Sequence, residues 1–205
     1  MKRRDLAELL ALAAIWGGSF LFMRVGAPAF GALPLAGLRV IGATLVLLPL
    51  LALHSGDAGF APLRTHWKPL LVVGIVNSAF PFACFAYATL TITAGLGAIF
   101  NAAAPLFGAA IAWVWLRDRP TPLRSLGIAI GFLGVFGLAY SRAALKDGAE
   151  PMRAALAVLA CIAATVSYGL GANYTKRYLT GVPPLAVAAG SQVAAALVLL
   201  VPTVV

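Results

Sequence analysis

The sequence predicts an all-α, polytopic transmembrane helix bundle, and three observations carry that prediction. Of 205 residues, 62% are hydrophobic and 10% charged, with a mean hydropathy of +0.97, whereas soluble chains run at roughly 45–50% apolar and about 25% charged. The apolar residues fall in long runs with short polar breaks, and a bilayer core needs roughly 20 of them per helix. No stretch alternates polar and apolar residues over about 10 positions, as a transmembrane β-strand does.

The first span starts at Lys2-Arg3-Arg4 and stays apolar to about Ala27. It imitates a secretory signal, down to a small-x-small site at Ala11-Leu12-Ala13. Asp5 and Glu8 interrupt its apolar region and six more spans follow, so it reads as an uncleaved helix. The later spans read as Leu33–Leu53, Trp67–Thr89, Ala94–Leu116, Leu123–Tyr140, Ala154–Tyr174 and Pro184–Val205. Cys84 and Cys161 fall inside spans, where small packed residues are expected rather than a disulfide or metal site. His54 and His66 fall in the connection after the second span and read as solvated loop residues.

The net charge of +9 is better read as topology than as a nucleic-acid footprint, because the basic residues flank apolar runs. With the N-terminus in the cytoplasm, Lys2, Arg3, Arg4, Arg64, Lys68, Arg117, Arg119, Arg124, Lys176 and Arg177 lie inside, against Arg142, Lys146 and Arg153 outside. Lys and Arg concentrate in cytoplasmic connections, which predicts that orientation.

Shifting the chain by 152 residues places Trp16-Gly17 on Tyr168-Gly169 and Arg24 on Lys176. Five spans separate the two starts, so the second copy enters the bilayer from the opposite face. Inverted duplication of this kind is typical of secondary transporters, whose solute site lies where the repeats meet.

Several segments resemble those of the drug/metabolite transporter (DMT) superfamily, in particular its EamA-type transporters. Trp16-Gly17-Gly18-Ser19-Phe20 resembles the W-G-x-x-F pattern of the first helix, and Leu38-Arg39-Val40 the arginine of the second. Ala94-Gly95-Leu96 with Ala104-Pro105-Leu106-Phe107 is similar to the fourth helix. Leu116-Arg117-Asp118-Arg119-Pro120 with Gly127, Gly131 and Gly134 resembles an L-G-E-R loop and a glycine-rich fifth helix, with Asp118 in place of the glutamate and Arg117 in place of the glycine. The resemblance implies inverted five-helix repeats: a first over residues 1–140, an outer linker over 141–151 and a second over 152–205. It implies ten helices where seven spans are read, so a truncated second repeat is expected. It further implies an inner-membrane protein of bacteria that exports small polar metabolites, such as amino acids, by alternating access. A truncated, non-transporting protein with a structural or assembly role is the alternative.

Four residues are candidate solute contacts. Asn77 and Asn101 each stand four residues before a proline, Pro81 and Pro105. Proline cannot bond the carbonyl four residues back and kinks the helix, so each pair makes a polar locus that could receive a solute or simply join helices. Trp16 and Tyr168 fall near mid-span, where rings suit either a cavity wall or ordinary packing, and Gly17, Gly18 and Gly169 beside them would let backbones approach. Arg24 and Arg39, near the outer ends of the first two spans, suggest a positive vestibule for carboxylates, or snorkelling to lipid phosphates. Gly127, Gly131, Gly134 and Gly137 predict that the fifth helix packs closely on a neighbour.

The sequence holds no paired acids within spans, no H-E-x-x-H and no histidine beside a nucleophile, so neither an enzyme nor a metal or cofactor is expected. Pro184–Val205 lacks the lysine that a retinal protein needs. The expected partners are membrane lipid and a small solute, with a homodimer as an option and nucleic acid not expected.

Overall fold

In the computed structural model, which describes residues 3–140 and 150–204, the chain is a bundle of helices. Six are long and apolar enough to cross a membrane, and a seventh apolar helix, over Pro122–Gly137, is shorter. Arg142, Lys146, Asp147 and most of the expected 141–151 linker lie outside the described residues.

Helix α1 (Arg3–Phe30) meets α2 (Ala32–Ser55) at Gly31, whose φ of 88° suits a residue without a Cβ. The connection after α2 is helical instead of an open loop: a 3-10 turn at Gly56–Phe60 leads to α3 (Ala61–Thr65). His54 sits in the last turn of α2, bonded to the Leu50 carbonyl at 3.1 Å.

The third and fourth spans are each broken. In the third, α4 (Trp67–Gly74) and α5 (Phe80–Ala88) flank a π-helical turn, Ile75–Ala79. Pro81 has no N–H for the Asn77 carbonyl, and the ladder widens ahead of it: the Phe80 N–H donates to Ile75 O, five residues back. The Val76 carbonyl then accepts from the Ser167 hydroxyl at 2.6 Å. In the fourth, α6 (Ala94–Ala102) starts at Thr93, which accepts from the Leu96 N–H at 3.3 Å. It yields at Ala103 to α7 (Ala104–Leu116), with Pro105 in the first turn. There the Phe100 carbonyl takes the Ala103 N–H at 3.0 Å and shares the Thr165 hydroxyl at 3.2 Å with Cys161 O.

Both donors come from one helix, α9 (Pro151–Tyr178), which follows α8 (Pro122–Tyr140). Its buried residues are Ala154, Ala157, Cys161, Ala164, Thr165, Ser167, Gly169, Gly171 and Asn173, all small or hydrogen-bonding. In lipid, association rests on close packing and interhelical hydrogen bonds, and α9 supplies both. A Cβ at Gly169 would lie 2.7 Å from Gly108 N, so α9 and α7 touch backbone to backbone. Asn173 seals that contact by donating to Gly108 O at 2.9 Å and Gly169 O at 2.8 Å.

Contacts along the helices give their directions. On α10 (Pro184–Val204), Thr203 crowds Gly37, Ala195 and Leu199 pack with Ala36 and Val40, and Ala186 and Ala189 with Leu51. Numbers rise on α2 as they fall on α10, so these two helices run antiparallel. Helix α9 is likewise antiparallel to the third span: Leu179 packs with Leu70 and Val73, Ser167 with Val76, and Cys161 and Ala157 with Phe85 and Ala88. Helix α10 approaches the third span closely at Gly74, where a Cβ would lie 2.5 Å from Ser191 O.

The glycines of the fifth helix differ from expectation. Of Gly127, Gly131, Gly134 and Gly137, Gly131 meets a neighbour, Leu106, and nothing among the described residues lies within 4 Å of a Cβ at the others. The same holds for Gly17 and Gly18. Because α8 sits at the rim and α1 presents much of its surface outward, these glycines face away from protein.

Two outcomes follow for stability in detergent. Gly169→Leu should overpack the α7–α9 contact, costing at least about 1–3 kcal/mol, whereas Gly134→Leu should leave the melting temperature nearly unchanged. Thr165→Val should lose a hydroxyl bond worth about 0.6 kcal/mol, at most about 1.7, with the helical circular dichroism retained.

Candidate functional site

A cavity of about 210 Å³ lies among α1, α2, α5, α6 and α9. It is smaller than the roughly 300–1,000 Å³ typical of pockets for drug-sized ligands. At about 30 Å³ per molecule it would take roughly seven waters.

Its wall runs from the middle of α1 and α9 toward the α1–α2 connection. Trp16 stands 14 residues before the end of α1, about 21 Å along the axis by helix rise. Arg39 stands seven residues into α2, about 10 Å from its start. Trp16 is half exposed and forms the rim, while Phe20, Met23 and Phe85 are buried beneath it. Phe85 meets Phe20 edge-on at 5.3 Å and stacks with Tyr168 at 6.1 Å and 23°. Such ring pairs add about 0.5–1.5 kcal/mol to their burial. They fix an aromatic floor under α1.

The break between α6 and α7 brings Asn101 into the wall. With Phe100 O engaged by Ala103 and Thr165, the last turn of α6 is held open to the cavity. Trp16, Asn101 and Tyr168 therefore meet in one place. Asn77 does not join them. It sits on the π-helical turn, where a Cβ at Gly171 would lie 3.2 Å from Asn77 Oδ1, so it marks a helix joint.

Arg39 belongs to the cavity wall, whereas Arg24 is exposed on α1 and does not line it. The Arg39 guanidinium donates from Nη2 to Ser19 Oγ at 2.9 Å and lies 4.3 Å above the Phe82 ring. Its Nη1 is buried with no hydrogen-bond partner among the described residues. Sequence reasoning placed this arginine in a vestibule and did not single out Ser19, Phe82 or Met23. Ser19 lies within the quoted first-helix pattern, and its polarity in an apolar run was the available signal. For Phe82 and Met23 there was none.

A second polar contact lies outside the cavity, where Gln192 donates to Ser78 Oγ at 2.9 Å, joining α10 to the third span. Cys84 and Cys161 are free thiols packed at the aromatic cluster. Among the described residues no cluster of His, Cys, Asp and Glu could hold a metal ion.

At the far end of the bundle Lys176 lies 4.0 Å from Asp118, and Arg177 stands over the Trp115 ring at 5.5 Å. Trp115, Tyr174 and Tyr178 cluster there. Amphipathic rings and basic residues together mark a membrane–water interface.

The cavity should be reachable by water. In a background with Cys84 and Cys161 replaced, Ser19→Cys and Asn101→Cys should react with a water-soluble maleimide. Ala164→Cys, fully buried on α9, should not.

No curated protein and no solved structure matches the chain. Residues 6–140, well over half of its length, match the EamA-like transporter family. The match takes in Trp16, Arg39, Phe85 and Asn101, so that all but one of the helices around the cavity lie within it. An all-helical transmembrane bundle, with a small cavity among five helices, is thus joined to a family assignment that covers four of them: the chain belongs to the EamA-like transporter family, of the DMT type.

Proposed function

We propose that the chain is a carrier of the bacterial inner membrane that exports small polar metabolites, amino acids and related compounds among them, by alternating access. The observation that carries this reading is the convergence of Trp16, Asn101 and Tyr168, from three helices, on one small cavity. Asn101 offers a donor and an acceptor, and the rings of Trp16 and Tyr168 offer faces on which a solute can stack. Asn77 is left as a helix joint.

The antiparallel course of α2 and α10 supports an inverted pair of repeats, the first over 1–140 and the second beginning at 152. The basic, aromatic end around Trp115, Arg177 and Lys176 supports its assignment to the cytoplasmic face, which puts the N-terminus inside. Differential binding of solute to the inward-open and outward-open states sets the exchange.

Flux into proteoliposomes, with a panel of labelled amino acids, tests the reading. Loss of one hydrogen bond of about 1 kcal/mol predicts that Asn101→Ala slows transport about fivefold. Equal flux for wild type and Asn101→Ala would remove the asparagine from the site.

A further inference from the structure

We infer that the cavity takes a small carboxylate with an apolar body, its carboxylate held by Arg39 and its body lying among the rings. The inference rests on the carrier reading of the same cavity and adds the class of solute.

Charge comes first. Among the described lining residues Arg39 is the charged one, and none is acidic. A guanidinium inside a span is costly, by at least about 2.5 kcal/mol at the centre and less toward the ends. Nothing in the wall neutralises this one. Its one hydrogen bond among the described residues is to Ser19, and Nη1 is buried without a hydrogen-bond partner there. Nη1 has almost no surface open to the cavity, so an anion would meet the guanidinium at its other N–H groups. Carboxylates and phosphates both match such an edge with two oxygens, and the small, largely apolar cavity suits the carboxylate.

Snorkelling does not describe this side chain. Arg39 is half-buried and held between α1, through Ser19, and α5, through the face of Phe82. These contacts hold the head group in the cavity, where the fork can meet a solute.

The rest of the wall selects the body. Ile15, Phe20, Met23 and Phe85 present apolar surface, as do the ring faces of Trp16 and Tyr168, whose indole N–H and hydroxyl join Ser19 and Asn101 as the neutral polar groups. A fully polar anion would lose most of its hydration against a wall where, beyond Arg39, Ser19 and Asn101, the Trp16 indole N–H and the Tyr168 hydroxyl are the side-chain groups able to hydrogen-bond. A volume of about 210 Å³ limits the body to roughly one ring or a branched chain.

The test uses the full chain in phosphatidylcholine nanodiscs and three probes of one shape and different charge: 3-phenylpropionate, 3-phenylpropanamide and 3-phenylpropylamine. Saturation-transfer titrations should give the carboxylate at least about tenfold tighter binding than the amide, with the amine weakest. Arg39→Gln, with unchanged circular dichroism, should level carboxylate and amide. A second measurement covers a variant that fails to fold: the carboxylate, and not the amide, should protect Ser19→Cys from maleimide. A flat charge series in wild type, protection by all three probes, or a preference that survives Arg39→Gln overturns the inference. So does phosphatidylglycerol displacing the carboxylate at matched concentration, which would make lipid phosphate the ligand. Charge-selective binding that depends on Arg39, without flux in proteoliposomes, upholds the anchor and removes the carrier reading. Flux of other solutes with a flat charge series does the reverse.

Discussion

Backbone groups in a bilayer core have no water to fall back on, so each carbonyl that loses its helical partner must find another within the protein. Two prolines in mid-span create that need at neighbouring sites. In the third span the chain meets it from α9, whose Ser167 reaches Val76 O; in the fourth, the Ala103 N–H takes Phe100 O and Thr165 of α9 adds a second bond to it. Ser167 and Thr165 stand two residues apart on the helix. Tyr168, the residue after Ser167, is turned about 100° by the helical repeat and reaches the cavity instead. The bonds that repair the broken spans therefore also set the depth and rotation of a cavity side chain. Small residues at Gly169, Gly171 and Ala164 let α9 come close enough for short hydroxyls to span the gap.

The cavity follows from the same breaks. A straight fourth span would carry an unbroken ladder through Asn101, with Phe100 O taken by the N–H four residues on. Because the span breaks at Ala103, α6 and α7 part, and the space beside Asn101 is not refilled by protein. Phe20, Phe85 and Tyr168 are too large and too well locked against each other to collapse into it. Empty cavities in proteins are apolar, whereas polar ones hold water. With Arg39, Ser19 and Asn101 in its wall, this one belongs to the wet kind.

How much could be read from residues alone depends on what lipid does to sequence patterns. The long apolar helices, the breaks near Asn77 and Asn101, and the place of Trp16 and Tyr168 well inside their helices were legible, since they depend on position along the chain. Rotation was not. A helix in water shows its buried face as an apolar stripe, but lipid tails are as apolar as a protein core, so a transmembrane helix carries little such signal. That is why Asn77 and Asn101, alike in spacing to proline, part company in space: one abuts Gly171 and the other faces the cavity. It is also why Gly127 and Gly134, in a pattern that usually marks tight packing, face outward, and why, of Gly17, Gly18 and Gly169, expected alike to admit a backbone, Gly169 alone does so among the described residues, with Gly74 a further contact not singled out. Arg39 shows the same limit, since its depth was readable and its partners were not.

The two sides of the cavity are held by different kinds of contact. On the α9 side, backbones meet at Gly108 and Gly169, and Asn173, Ser167 and Thr165 add directed bonds. Moving that wall would strand buried carbonyls. On the α1 side the contacts are side chain to side chain, through Phe20 and Met23, and rings and thioethers can re-pack at small cost. At this depth α1 is tied by polarity through Ser19 and Arg39, and that bond lies inside the cavity. A carboxylate bound as proposed, competing for the guanidinium, would act on the tie of the softer wall, coupling occupancy to the position of α1 through a single arginine.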